Sequence, residues 1–387
     1  MAEIIAKRMS QIQPFYVMNI LAKAKAMEAQ GHDIVHLEIG EPDFVTAKPI
    51  VDAGIHSLNA GLTHYTPAVG LTSLREAIAE FYHTAYQVSI NPEQVIVTPG
   101  SSGALQLLLS ILINPGDKVL LTDPGYPCNR HFVRLLEGEA VNVKVDATTN
   151  YQLTPALIKQ YWDAKTRALL IASPSNPTGA MLSGDELQSL ISQVNKHQGV
   201  MIVDEIYHGL CYGKKAHSAL EYSDDVFVVN SFSKYFGMTG WRVGWIISPE
   251  AYIVELDKLA QNLFLATSTT SQYGAIEAFS PATMNILEDR RCQFQQRRNF
   301  LLKALKNLGF GVPVDPDGAF YIYCNCEKFT DDSFLFCQKI LEETGVAITP
   351  GKDFGIHNAS KHLRFAYTTS IENMEKGIER LAKFLKH

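Results

Sequence analysis

The side chains best suited to bond-making chemistry lie in the stretch Ser231–Gly244, where Ser231, Ser233, Lys234 and Arg242 fall close together. A continuous apolar run, Val226–Val229, comes just before them and reads as a buried parallel strand. A lysine placed just beyond such a strand is partly desolvated. Burial disfavours the ammonium form, so the free amine becomes a usable nucleophile towards carbonyls. The two serines and the fork of Arg242 could grip a phosphate. A nucleophilic amine beside a phosphate clamp suits pyridoxal 5'-phosphate held as a Schiff base. Taken alone, the loop also fits an ordinary surface turn with a solvated lysine, and both readings stand at this point.

Other residues carry similar double meanings. Gly100-Ser101-Ser102-Gly103 opens a helix after a strand, so its N–H groups and the Ser102 hydroxyl form a seat for a phosphate, or merely a turn. Asp204 ends a strong apolar strand, and a carboxylate there wants a cationic partner. Facing a pyridine nitrogen, it would keep that nitrogen protonated and the ring electron-withdrawing; a helix cap is the alternative. Tyr207 and Asn176 could donate to a ring oxygen, although Asn176-Pro-Thr-Gly179 is also a good turn. Tyr126, between prolines, could lie on a planar ring or sit in the core. Arg364, flanked by Leu363 and Phe365, must be paired, either by a substrate carboxylate or by a structural salt bridge. None of these motifs calls for a metal.

The elements that must hold these residues follow a regular rhythm. From Gln94 onward, strands at Val95–Val97, Lys118–Leu121, Ala140–Val145, Ala168–Ile171 and Val200–Val203 alternate with helices. Ser183 and Glu186 form a capping pair for the helix that runs to His197. Such alternation predicts an α/β, three-layer domain with a mostly parallel sheet, whose ligands sit at the carboxyl ends of the strands. The expected division is a large domain over 46–284 and a smaller α+β domain from both termini, 1–45 and 285–387. In it Ile34–Ile39, Phe320–Tyr323, Val346–Ile348 and Leu363–Tyr367 read as strands. Asn285–Leu308 reads as one long helix.

Composition narrows the class. The chain has 387 residues, 46% hydrophobic and 19% charged, as in a soluble globular protein. A net charge of -6 without a basic run argues against nucleic acid or an anionic membrane as partner. The start, Met1–Met9, lacks the long apolar core of a signal peptide. Six scattered cysteines without a C-x-x-C pair point to reduced thiols and a cytoplasmic setting.

In order and context the motifs resemble those of the fold-type I, class I/II aminotransferases, in the subgroup that holds many bacterial aspartate and aromatic enzymes. The resemblance runs from about Ile12 to the C-terminus. It rests on Ser231-x-Ser233-Lys234 with Gly240-Trp-Arg-Val-Gly244, on Ser173-x-x-Asn176-Pro-Thr-Gly179, and on Asp204-Glu-x-Tyr207. Gly40-Glu-Pro-Asp43, Tyr65-x-x-x-x-Gly70 and Arg364-x-x-Tyr367 also fit. The resemblance implies that Lys234 carries pyridoxal phosphate and moves the proton. Asp204 would meet the pyridine nitrogen, and Asn176 and Tyr207 the ring oxygen. Ser101, Ser102, Ser231, Ser233 and Arg242 would hold the phosphate, and Tyr126 would stack on the ring. Arg364, Asn176 and the backbone at Gly40 would take the substrate carboxylate. Tyr65 would reach the phosphate of a partner subunit, which implies a homodimer with shared sites. The implied reaction passes an amino group from an L-amino acid to a 2-oxo acid, 2-oxoglutarate being the expected acceptor, in a ping-pong cycle.

One departure bears on the donor. Many aspartate enzymes of the subgroup carry a lysine near the phosphate loop, and Gly100–Leu105 offers no cation. That leaves aspartate, aromatic, alanine and aliphatic donors open. Two rivals use the same scaffold: a pyridoxal-phosphate C–S beta-lyase, which needs no acceptor, and a regulator's effector domain, which would need a DNA-binding extension.

Overall fold

The computed structural model describes residues 5–386; residues 1–4 and 387, included in the expected small domain, lie outside the described residues. The strands are β1 (Val35–His36), β2 (Val95–Thr98), β3 (Lys118–Asp123), β4 (Glu139–Lys144), β5 (Thr166–Ala172), β6 (Val200–Asp204), β7 (Val226–Ser231), β8 (Gly244–Ile247), β9 (Tyr321–Asn325), β10 (Val346–Ala347), β11 (Thr349–Pro350) and β12 (His362–Ala366). Seven of them form one sheet in the order β2-β8-β7-β6-β5-β3-β4. All its pairings are parallel except those of β8, which runs antiparallel to both β7 and β2.

The central strands are apolar on both faces because both faces are covered. Met201, Val203 and Val228 turn to one side, into a cluster with Leu187, Leu190 and Val194 of the helix Gly184–Lys196. Ile202, Phe227 and Val229 turn to the other, against Leu105 and Leu108 of the helix Gly100–Leu112 and Leu256 of the helix Ile253–Leu263. Each such fully buried side chain contributes about 1.5–3 kcal/mol relative to exposure. The helix Gly184–Lys196 starts with the expected capping box: Ser183 Oγ accepts from Glu186 N, and Glu186 Oε2 accepts from Ser183 N at 2.8 Å. The registers Ala172↔Asp204 and Asp204↔Val229 bring the carboxyl ends of β5, β6 and β7 level. That edge is where the chemistry-bearing residues collect.

The other two sheets are built from the chain's ends. β11, β12 and β9 form an antiparallel sheet in which Arg364 lies between Thr349 and Tyr323. β1 pairs in parallel with β10. The expected strand Ile34–Ile39 is regular for two residues only. Beyond it the backbone stays tied, but irregularly: Leu37 N donates to Ala347 O, Ala366 N to Leu37 O, and the Glu38 carbonyl is taken by side chains. The expected long helix starts earlier, at Pro281 behind the Ser280 cap, and stops where Gly309 turns left-handed at φ 93°. Elements not anticipated include β8, the short β11, and the helix Ile253–Leu263, which packs on the helix Gly100–Leu112.

Candidate active site

A cavity of about 380 Å³ opens at the carboxyl ends of the central strands. Its wall includes Gly40, Ser101, Ser102, Tyr126, Asn176, Asp204, Tyr207, Ser233, Lys234, Arg242 and Arg364. Two of the sequence candidates stand elsewhere. Ser231 is fully buried one layer back, accepting the Ser233 N–H at 3.1 Å with its Oγ 2.9 Å from Ser233 Oγ. Tyr65 is 83% exposed on the outside of the chain and takes no part in this wall.

Lys234 follows β7 and points into the cavity, where its Nζ donates to the Gly40 carbonyl at 2.7 Å. Burial lowers the ammonium's pKa to about 8, partly offset by the nearby Glu41 carboxylate; Arg364 and Arg242 push it down further. In the cofactor-free protein, labelling of Lys234 by an amine-selective reagent should therefore be half-maximal near pH 8. The free amine fraction rises with pH, and solvated lysines should lag by about two pH units. Peptide mapping across a pH series reads this directly, and a midpoint near 10 for Lys234 would contradict it.

Asp204 closes β6 with its side chain buried in the cavity wall. Its Oδ1 accepts from Ile206 N at 3.0 Å, so the residue caps a turn rather than a helix. Burial pushes its carboxyl up to about 7. That is a carboxylate short of a cation. The neighbouring Glu205 turns the other way, accepting from Ala219 N at 2.8 Å and Ser218 Oγ at 2.9 Å. Alternation along the chain thus separates a cavity acid from a structural one.

Tyr207 OH lies 2.9 Å from Tyr321 OH. Asn176 Oδ1 accepts from Arg364 Nη1 at 3.0 Å, leaving its amide N–H groups for other work. Arg364 Nη2 donates to the Glu38 carbonyl at 2.6 Å, and its guanidinium lies 4.2 Å from the Tyr321 ring centre and 4.9 Å from that of Phe354. All its hydrogen-bond acceptors are neutral, and Nε has none among the described residues. A buried arginine held this way is not consumed by a structural salt bridge; it is set up for an incoming carboxylate.

The phosphate-sized end of the cavity is built by close backbone approach. Gly100 (φ +72°) begins the helix Gly100–Leu112, and a Cβ there would stand 2.4 Å from Arg242 Nη2. Arg242 is itself left-handed (φ 57°), with Nη1 donating to the Thr239 carbonyl at 2.8 Å and lying 3.5 Å from Ser233 Oγ. Gly244 at the start of β8 lets that strand touch Ser101 N, 2.8 Å from where its Cβ would be. Gly100→Ala should displace Arg242. We expect about 1–2 kcal/mol of lost stability from the left-handed backbone and about tenfold weaker cofactor binding, read by absorbance titration with pyridoxal phosphate.

Sequence reasoning missed part of the wall. Tyr321 looked like an ordinary strand residue, Asp353 and Phe354 carried no motif, and Val17 and Ile39 were not singled out. The donor set nevertheless suits pyridoxal phosphate: an amine, an acid short of a cation, free amide and phenol donors, and a helix N-terminus beside an arginine. The cations of the wall are Lys234, Arg242 and Arg364.

Comparison with known proteins agrees with that chemistry. The family described as aminotransferase class I and II matches residues 32–381. The chain is 39% identical to the (5-formylfuran-3-yl)methyl phosphate transaminase of Methanocaldococcus jannaschii, over 98% of this chain and 99% of the relative. It is 34% identical to the valine–pyruvate aminotransferase of Mycobacterium tuberculosis, with 97% of each covered. The aspartate aminotransferase structure from Thermus thermophilus with maleate superposes with a TM-score of 0.93 at 32% identity, covering 98% of this chain and 99% of that one. On these grounds the chain belongs to the class I and II aminotransferases and is a pyridoxal-phosphate-dependent transaminase.

Proposed function

We propose that Lys234 carries the cofactor and acts as the proton shuttle, with Arg364 holding the substrate's carboxylate. The observation that supports this most is the company the lysine keeps. An amine of lowered pKa, an acid without a cation and a buried arginine with neutral partners share one cavity. When bound, pyridoxal phosphate supplies an aldehyde for amines to condense with and a ring that accepts electrons.

In this reading the chain's residues divide the work as follows. Ser101, Ser102, Ser233 and Arg242 grip the phosphate, and Ser231 holds Ser233 in place from behind. Tyr126 lies along the ring. Asp204 keeps a proton on the pyridine nitrogen, and that cation in turn relieves the carboxylate's burial. Asn176 and Tyr207 donate to the ring oxygen, with Tyr321 orienting Tyr207. Arg364 fixes the amino acid by its carboxylate, with Asn176 and the Gly40 backbone helping. Lys234 would serve as the base: its Nζ would take the substrate's alpha proton and hold it for return.

The donor stays open among aspartate, aromatic, alanine and aliphatic amino acids. A screen of amino acids with 2-oxoglutarate or pyruvate as acceptor tests the reading. Beyond one equivalent per site, product 2-oxo acid should appear only when an acceptor is present, with the parallel-line kinetics of a ping-pong cycle. Sustained turnover without acceptor would instead indicate lyase chemistry.

We also propose a homodimer with shared sites. Ile55 and Leu58 on the helix Lys48–Asn59, and Leu62 and Tyr65 just after it, are exposed apolar side chains suited to burial against a second copy. Arg242 lines the cavity and is itself exposed. Sedimentation at micromolar concentration should give twice the chain mass. A division into 46–284 and the two ends fits the sheets, and six unpaired cysteines suit a reducing cytoplasm.

A further inference from the structure

Beneath Arg364 lies the segment Asp353–His357, whose backbone groups are tied to neighbouring elements by a set of hydrogen bonds. Ile356 N donates to Asp123 Oδ2 at 3.0 Å and His357 N to Asp123 Oδ1 at 3.3 Å. Gly125 N donates to the Phe354 carbonyl at 2.8 Å, and Arg130 Nη2 to the Asp353 carbonyl at 2.7 Å. On the far side the Asp353 carboxylate accepts from Tyr16 N at 2.6 Å and Val17 N at 2.8 Å. Ile356 itself is 88% exposed, so at this end of the segment the two hydrogen bonds to Asp123 are the anchor, while Phe354 at the other end is also held by burial.

The anchor and the load are both well defined. Asp123 ends β3, is 3% exposed, and sits so close that a Cβ on Gly355 would stand 1.8 Å from its Oδ1. The load is Phe354, 2% exposed, whose ring lies 4.9 Å from the Arg364 guanidinium. Tyr126 leaves the same turn three residues after Asp123 and enters the cavity wall. One turn of the large sheet therefore sets both the ring-stacking residue and the platform under the carboxylate clamp.

We propose that Asp123 is a positioning residue for substrate-carboxylate recognition: it fixes Phe354, and through it the guanidinium of Arg364. This rests on the reading of Arg364 as the clamp. Replacing the carboxylate by an amide keeps one acceptor but turns the other into a donor facing a backbone N–H, which loosens the platform. Lys234 and the phosphate-end residues Ser101, Ser102, Ser233 and Arg242 share no hydrogen bond with Asp123 and would be untouched. The consequence is selective: substrates with a carboxylate suffer, and those without one do not.

The test uses holoenzyme and the first half-reaction, followed by cofactor absorbance. Two substrates are compared: the amino acid that turns over best, and the primary amine that differs from it only by lacking the carboxylate. Asp123→Asn should lower kcat/KM for the amino acid about tenfold, mainly through KM, and leave the amine and the cofactor affinity unchanged. Arg364→Leu should show the same selectivity more strongly, and adding Asp123→Asn to it should cost nothing further. Equal losses for both substrates, or no loss, in Asp123→Asn would overturn the inference while leaving a selective Arg364→Leu result, and so the clamp, intact. A non-selective Arg364→Leu would overturn the clamp and the inference together. If Asp123→Asn does not fold, Phe354→Leu takes its place. It keeps the backbone bonds, should give the same selective loss, and overturns the inference if it does not.

Discussion

Lys234→Ala should lose transamination by on the order of 10⁴ or more, because in the proposed roles one side chain performs both covalent attachment and proton transfer. The protein should still fold: the substitution removes a hydrogen bond to the Gly40 carbonyl at a cavity wall, not a core contact. Pyridoxal phosphate should still bind through the phosphate end, where Ser101, Ser102, Ser233 and Arg242 are unchanged. Added small amines should restore part of the rate, since they supply the missing base. Lys234→Arg should not be rescued in this way, because a guanidinium keeps its proton and still fills the space. Single-turnover absorbance measurements with and without methylamine separate these outcomes. Near-normal turnover of Lys234→Ala without added amine would show that another group moves the proton.

Asp204→Asn should lower kcat by about 10²–10³ with little change in fold. The physical reason is the charge state of one nitrogen. In the cofactor-free protein, burial holds the Asp204 carboxyl at about 7, well above its usual range. A pyridinium opposite it favours the ionised form, so the pair stabilises a proton on the ring that an amide cannot hold. The sign can be checked by pH. Wild type should keep its ring nitrogen protonated into the alkaline range, whereas in Asp204→Asn that proton should leave at lower pH and the absorbance should shift accordingly. Wild-type kcat in Asp204→Asn would mean that the acid serves only the local turn to Ile206.

Much of this was legible in the sequence, for reasons that differ from residue to residue. β5, β6 and β7 stood out because strands covered on both faces are apolar runs, and where the cover stops β6 ends in Asp204, β7 in Ser231 and β5 in Ala172 just before Ser173. Asp204 and Lys234 were visible as charged or reactive groups at such ends. β8 was not, since Gly244–Ile247 follows the loop with no break and the strand–helix rhythm anticipates parallel strands. Its first residue is glycine because the strand passes against the start of the helix Gly100–Leu112, a close approach that sequence alone does not reveal. The short β1 has a similar cause: the Glu38 carbonyl accepts from Arg364 and Thr349 instead of continuing the ladder.

Within the site, Tyr321 and Phe354 escaped notice because an aromatic in a strand or a loop is usually core. Their roles come from what lies above them, the Arg364 guanidinium, and that neighbour is brought in by β12. Ser231 was read as a direct ligand from its place in the motif. In the structure it lies under Ser233, at a depth that two-residue spacing along a chain leaving a strand does not fix.

The most direct test is covalent. The holoenzyme, reduced with borohydride and digested, should carry a phosphopyridoxyl group on the peptide containing Lys234, with the intact mass raised by one such group per chain. An adduct on a different lysine, or an unchanged mass after saturation with pyridoxal phosphate, would contradict the assignment of Lys234 as the cofactor's anchor.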